Sequence, residues 1–91
     1  MTQNKKIQNL YELNQLEDAE KQAWKELDIH AGNPDLHFLL GRIYYKKQEW
    51  GRAINQFRRV LEIDPEYPEA KEQIEMVNTI LGYFNPDMFN P

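Results

Sequence analysis

The chain has 91 residues, of which 41% are hydrophobic and 29% charged, and its net charge is −4. A chain of this size and composition is typical of one small globular domain. Cysteine is absent, which excludes disulfides and thiolate metal sites. The sequence has neither an apolar run long enough for a membrane helix nor the apolar core of a secretory signal. We therefore expect a cytoplasmic protein.

The charge is distributed unevenly along the chain. Residues 42–59 hold six basic residues and one glutamate, whereas residues 1–41 and 60–91 are both net acidic. The acidic total argues against nonspecific binding of nucleic acid, which needs an excess of cations. The basic middle leaves room for a local site that accepts an anionic peptide or a carboxylate. The alternative is that these charges form solvated helix faces.

Apolar residues recur at helical spacing, which predicts five helices. One such apolar face contains Leu36, Leu40 and Ile43, and another contains Phe57 and Leu61. The predicted helices run about Thr2–Leu13, Leu16–His30, Pro34–Lys47, Trp50–Ile63 and Pro68–Leu81. Because the connections are short, neighbouring helices are expected to pack antiparallel.

Capping residues and prolines set the predicted helix ends. Asn33-Pro34-Asp35 combines a capping side chain, a proline suited to the first turn and an acid at the positive end of the dipole. Asp64-Pro65 predicts a helix end, because the residue before proline avoids the helical region. Gly82 is predicted to cap the fifth helix.

Gly41 lies inside a predicted helix, where glycine costs about 1 kcal/mol relative to alanine. A close approach of the next helix would explain it. We expect the small Ala53 opposite Gly41, with Tyr44 and Phe57 filling the space on either side.

A weak internal repeat has a period of 34 residues. Shifting the chain by this period superimposes identical residues: Ala19 on Ala53, Gln22 on Gln56, Leu27 on Leu61 and Ile29 on Ile63. Constant spacing of this kind is typical of stacked repeats, in which each unit contacts its neighbours.

The segment 37–65 carries the clearest motif. Leu40-Gly41, Tyr44, Ala53, Phe57 and Pro65 stand at the spacing of the tetratricopeptide repeat. The chain resembles that family, with His37 in the place of the family's tryptophan. The preceding copy is degenerate, because Ile7, Ala23 and Ala31 replace the glycine, the phenylalanine and the proline.

The resemblance implies an all-α fold, a right-handed superhelical stack of antiparallel helix pairs. The domain would span residues 1–82. It would contain a first repeat at about 1–33, a second at about 34–67 and a capping helix at about 68–81. Residues 83–91 would form a C-terminal tail.

The resemblance also implies a concave groove that holds an extended peptide or a helix of a partner. The residues placed there are Gln8, Tyr11, Phe38, Arg42, Tyr45, Lys46 and Met76. Independently, Phe38, Arg42 and Tyr45 recur at i, i+4 and i+7, on a stripe separate from the apolar one. The alternative is that Phe38 and Tyr45 pack between helices and Arg42 is only solvated.

Residues for catalysis or metal binding are scarce. Serine is absent, and His30 and His37 are the two histidines of the sequence. No glycine-rich loop is visible. We therefore expect no enzyme activity, no metal and no cofactor.

The sequence leaves two functions open. The first is a binding module, an adaptor or scaffold for a protein or peptide, including acidic ones, with neither nucleic acid nor membrane as partner. The second is a self-assembly unit, monomeric or weakly dimeric, that oligomerises through the exposed first repeat or the C-terminal tail. The aromatic tail has three open arrangements, namely folding back, entering a groove or fraying as a docking motif. We expect Tyr83 and Phe84 to fold back over the fifth helix and fraying from about Met88.

Overall fold

A computed structural model describes residues 2–84 of the chain, with side chains for 4–82. This part is entirely helical. Its helices are α1 (Thr2–Glu12), α2 (Leu16–Leu27), α3 (Pro34–Lys46), α4 (Trp50–Ile63) and α5 (Ala70–Phe84). The predicted all-α repeat architecture is confirmed.

The helices pack as consecutive pairs. α1 packs against α2, α3 against α4, and α5 against α4. α3 also contacts both α1 and α2, so the second pair lies directly on the first. Side chains of α1, α3 and α5 meet along one side of the molecule.

Two predicted helix ends are confirmed by their caps. The Asn33 side chain accepts a hydrogen bond of 3.0 Å from the backbone N–H of Asp35, and Pro34 is the first residue of α3. At the end of α4, Asp64 is extended, with φ −136°, as expected before a proline.

Other predicted ends are wrong by a few residues. α2 stops at Leu27, because the N–H groups of Ile29 and His30 both turn to the carbonyl of Glu26. α5 begins at Ala70, after a turn that includes Pro68.

The predicted cap at Gly82 is also wrong. α5 continues through it to Phe84, and none of the glycines in the described part has a positive φ. The backbone of Tyr83 and Phe84 therefore extends α5. Their side chains, on which the predicted fold-back depends, and the predicted fraying from Met88 lie outside the described set.

The turns within the two helix pairs have the same backbone form. Asn14 has φ 62° and Gln48 has φ 64°, and these two residues are one repeat period apart. In both turns a backbone N–H donates to the carbonyl five residues earlier. The bond runs from Gln15 to Leu10 in the first turn and from Glu49 to Tyr44 in the second. The first repeat is thus degenerate in its motif residues but regular in its backbone.

The core is concentrated in α3 and α4. The largest fully buried side chains are Ile7, Leu36, Leu40, Ile43, Phe57, Val60 and Val77. A Cβ added to Gly41 would lie 2.4 Å from the Phe57 ring. The predicted close approach at Gly41 is therefore confirmed, but Phe57 rather than Ala53 makes it.

Candidate functional site

Three adjoining depressions follow the side where α1, α3 and α5 meet. The first, of about 390 Å³, is lined by Gln8 of α1, Phe38 and Arg42 of α3 and Tyr67 before α5. The second, of about 180 Å³, is lined by Tyr11, Arg42, Tyr45, Gln73 and Met76. The third, of about 570 Å³, is lined by Tyr45 and five residues of α5. Shared residues make the row continuous, and we call it the groove.

Tyr11 lies at the centre of the groove beneath two cations. The guanidinium carbon of Arg42 is 4.8 Å from the centre of the Tyr11 ring, and Lys46 Nζ is 4.5 Å from it. Lys46 Nζ also donates to the Tyr11 carbonyl at 3.3 Å. Cation–π contacts at exposed sites contribute about 0.5–1 kcal/mol each. This cluster therefore joins α1 to α3 while it keeps positive charge at the surface.

The two aromatic residues of the predicted stripe have different environments. Phe38 is only 6% exposed and packs between the rings of Phe57 and Tyr67, at centroid distances of 5.4 and 5.1 Å. Phe38 therefore forms the floor of the groove. Tyr45 is half-buried and meets Trp50 edge-on at 5.3 Å, and it lines two of the depressions.

The remaining predicted residues also lie along this side. Met76 is 47% exposed on α5, and Gln8 donates to Glu12 at 3.0 Å. Six of the seven predicted residues line a depression, and Lys46 reaches the groove through its contacts with Tyr11.

Some groove residues were missed by the sequence reasoning. Tyr67 is not among the predicted groove residues, although its hydroxyl donates to Asp35 at 2.7 Å and its ring closes one end of the groove. Burial and the Asp35 carboxylate raise the pKa of Tyr67, which keeps the phenol protonated as a donor. Ile80 was also missed, but the 34-residue shift from Lys46 would have found it.

The basic segment 42–59 does not act as one surface. Lys47 Nζ is held by three carboxylates, those of Glu17, Glu20 and Glu49, at 2.7, 2.8 and 3.2 Å. Arg52 pairs with Glu49, and Arg59 with Glu62. Only Arg42 and Lys46 of this segment contact the groove tyrosine, Tyr11.

The α5 side of the groove has the opposite charge. Glu69 lines the first depression, and Glu72 and Glu75 line the third. The groove is therefore basic between α1 and α3 and acidic along α5.

Two kinds of site are missing from the part of the chain that is described. Among residues 2–84, no group of three or more histidine and acidic side chains is placed to hold a metal ion. No helix within the same residues is long and apolar enough to cross a membrane.

Comparisons with known proteins give one result. The family model of the tetratricopeptide repeat matches residues 34–73, which cover α3, α4 and the start of α5. Searches of curated proteins and of solved structures returned no match.

Proposed function

We propose that the chain, whose residues 34–73 match the tetratricopeptide repeat model, is an interaction module without catalytic activity. It holds a peptide segment or a helix of a partner protein in the groove. The observation that carries this proposal is the cluster at Tyr11, where an aromatic ring and two cations lie side by side in a continuous depression.

The cluster combines the residue types that dominate protein interfaces. Tyrosine and arginine are enriched among the residues that contribute most to binding. No ion pair involves Arg42 or Lys46 within the described chain, so their charges are available to a partner's carboxylates. Tyr45 and Met76 offer apolar contact beside them. An acidic side chain followed by an apolar one fits this arrangement.

A double substitution tests the groove. Arg42→Glu with Tyr45→Ala reverses one charge and removes one ring, and both side chains are only partly buried. We expect loss of the partners that the wild-type domain captures from extracts of its source cell, with unchanged helical circular dichroism. The matched control is Arg58→Glu, an exposed charge reversal on α4 that lines no part of the groove.

The control variant should retain capture of the same proteins. If the double variant also retains them with wild-type affinity, the groove is not the binding site. For a captured partner, raising the salt concentration should weaken binding, because exposed charges separated by more than about 10 Å are screened at 0.1 M salt.

A further inference from the structure

The repeat register assigns a role to the outer side of the first helix pair. Within the molecule, α3 meets the preceding pair partly through Tyr44, whose hydroxyl donates to Glu20 at 2.8 Å and accepts from Trp24 at 3.1 Å. One period earlier, Tyr44 corresponds to Leu10. The surface around Leu10 is thus the one with which a repeat packs onto a preceding pair.

This surface is apolar at its centre and basic around it. Two depressions, of about 310 and 370 Å³, share Leu10 and Lys6. Leu13 lies beside them and is 67% exposed. We call the surface the end face, and its residues are Lys5, Lys6, Leu10, Leu13, Lys21 and Lys25. Asp18 is the acidic residue among those lining the two depressions.

The register also assigns a role to the free side of α5. On α1, Gln8 and Glu12 lie on the side toward α3 and α5, since Gln8 lines the groove and donates a hydrogen bond to Glu12. Two periods later, these positions are Met76 and Ile80. The side of α5 that contains them corresponds to the side on which a following helix would lie.

This side of α5 is apolar and acidic. We call it the α5 stripe, and its residues are Glu72, Glu75, Met76, Thr79 and Ile80, which line the third depression. The glutamates have no ion-pair partner among the described residues, and neither do the lysines of the end face. Met76 is 47% exposed.

We propose that the end face of one copy docks on the α5 stripe of a second copy. Four lysines of the end face would meet two glutamates of the stripe, and Leu10 and Leu13 would meet Met76 and Ile80. The α5 stripe is also the third depression of the groove, so a docked second copy and a partner's segment would compete for it.

Such a contact joins two different surfaces, so a pair of copies retains one free surface of each kind. Contacts of this type generate rings if the rotation between copies closes and open chains if it does not, rather than two-fold dimers. The tail at 85–91 is a weaker occupant of the stripe, because its one charged side chain is the acidic Asp87.

Sedimentation velocity over a wide concentration range tests the proposal. We expect the sedimentation coefficient of the wild-type chain to increase with protein concentration at low salt. High salt should reduce this increase because exposed charges are screened. Lys6→Glu with Lys21→Glu, on the end face, should abolish the increase. Glu72→Lys with Glu75→Lys, on the α5 stripe, should also abolish it.

Mixing the two variants gives the decisive measurement. In each variant alone, the end face and the α5 stripe carry charges of the same sign. In the mixture, each surface of one variant can meet an oppositely charged surface of the other. We expect association to return only in the mixture. Asp28→Lys with Glu66→Lys is the matched control for the α5 stripe variant, because it makes the same change in net charge at exposed positions outside both surfaces.

The control should associate like the wild type. A wild-type chain that remains monomeric at every concentration overturns the proposal, and so does a mixture that does not associate. Association that survives both charge reversals but disappears when residues 85–91 are deleted would assign the contact to the tail instead.

Discussion

Gly41 of α3 lies directly against the Phe57 ring of α4. A Cβ at position 41 would come within 2.4–2.7 Å of three atoms of the Phe57 ring, and that ring is fully buried. Gly41, which has no side chain, therefore packs against Phe57, the largest of the fully buried side chains. The family motif records both residues but does not say that they touch.

Gly41→Ala should destabilise the protein. Overpacking of a core costs about 1–3 kcal/mol, which exceeds the gain of about 1 kcal/mol in helix propensity. Gly51→Ala is the matched control, since Gly51 is also helical but has nothing within 4 Å of its added Cβ. Urea unfolding should show Gly41→Ala less stable than wild type and Gly51→Ala as stable or more so. Equal stability of the two variants would contradict the contact.

Glu20 is expected to make stability depend on pH. Burial alone would raise the pKa of Glu20, but hydrogen bonds from Lys47 and Tyr44 lower it below its ordinary value. A carboxyl with a lowered pKa in the folded state contributes stability above its unfolded pKa. That contribution is lost as the pH falls through the folded pKa.

Glu20→Gln should therefore be less stable than the wild type at neutral pH, by about 1–2 kcal/mol for hydrogen bonds to a charged group. The difference should shrink as the pH is lowered to about 3, below the ordinary glutamate pKa. Urea unfolding at both pH values measures it. A difference that stays constant with pH would mean that the carboxylate charge is not what stabilises the fold.

At the scale of helices, Lys47 connects three elements. Its ammonium group contacts carboxylates of α2 and of the turn before α4, while the lysine itself directly follows α3. The hydrogen bonds that Lys47 donates to these glutamates raise its pKa further above its ordinary value. The charge therefore stabilises the contact between the two helix pairs.

Lys47→Met should destabilise the protein by roughly 1–3 kcal/mol, because it removes charged hydrogen bonds and leaves carboxylates facing one another. The neighbouring Lys46→Met is the control, because Lys46 is exposed and loses a contact worth only about 0.5–1 kcal/mol. Thermal unfolding distinguishes them. A larger loss for Lys46→Met would show that the contact with Tyr11, and not the carboxylate cluster, joins the pairs.

The helices were largely predictable because their signals are local. Asn33 and Asp64 act through neighbouring backbone groups, and both ends were predicted correctly. The end of α2 predicted at His30 was wrong, because a tight turn closed on the Glu26 carbonyl has no strong residue preference. The predicted cap at Gly82 was wrong, because a glycine in the sequence does not by itself show that the helix ends there.

The groove was predictable in its residues but not in its contacts. The period placed Gln8, Arg42 and Met76 on corresponding positions, and Arg42 and Met76 line one depression. Whether a particular aromatic protrudes or packs depends on residues distant in sequence. Phe38 is buried because Phe57 and Tyr67 enclose it, and no local pattern contains that information.

For the whole molecule, stability is expected to be highest in the middle of the stack. α3 and α4 supply five of the seven largest fully buried side chains, whereas Ile7 is the one from α1 and α2 supplies none. In stacked repeats each unit is stabilised mainly by its neighbours. The first pair should therefore open more often than the second.

Native-state hydrogen exchange should show the slowest amides in α3 and α4 and faster exchange in α1. Ile7→Ala should increase this contrast, since removal of a buried isoleucine costs about 2–5 kcal/mol. Uniform protection from α1 to α5 in both proteins would mean that the chain unfolds only as one unit.

The left-handed turns at Asn14 and Gln48 have a consequence for tandem arrays built from this sequence. Glutamine lacks the short side chain that lets asparagine tolerate this conformation, which costs roughly 1–2 kcal/mol for residues other than glycine. An array that copies residues 34–67 would therefore repeat this strain at every turn. Exchanging glutamine for glycine at each copy of position 48 should make such arrays gain stability in proportion to their length.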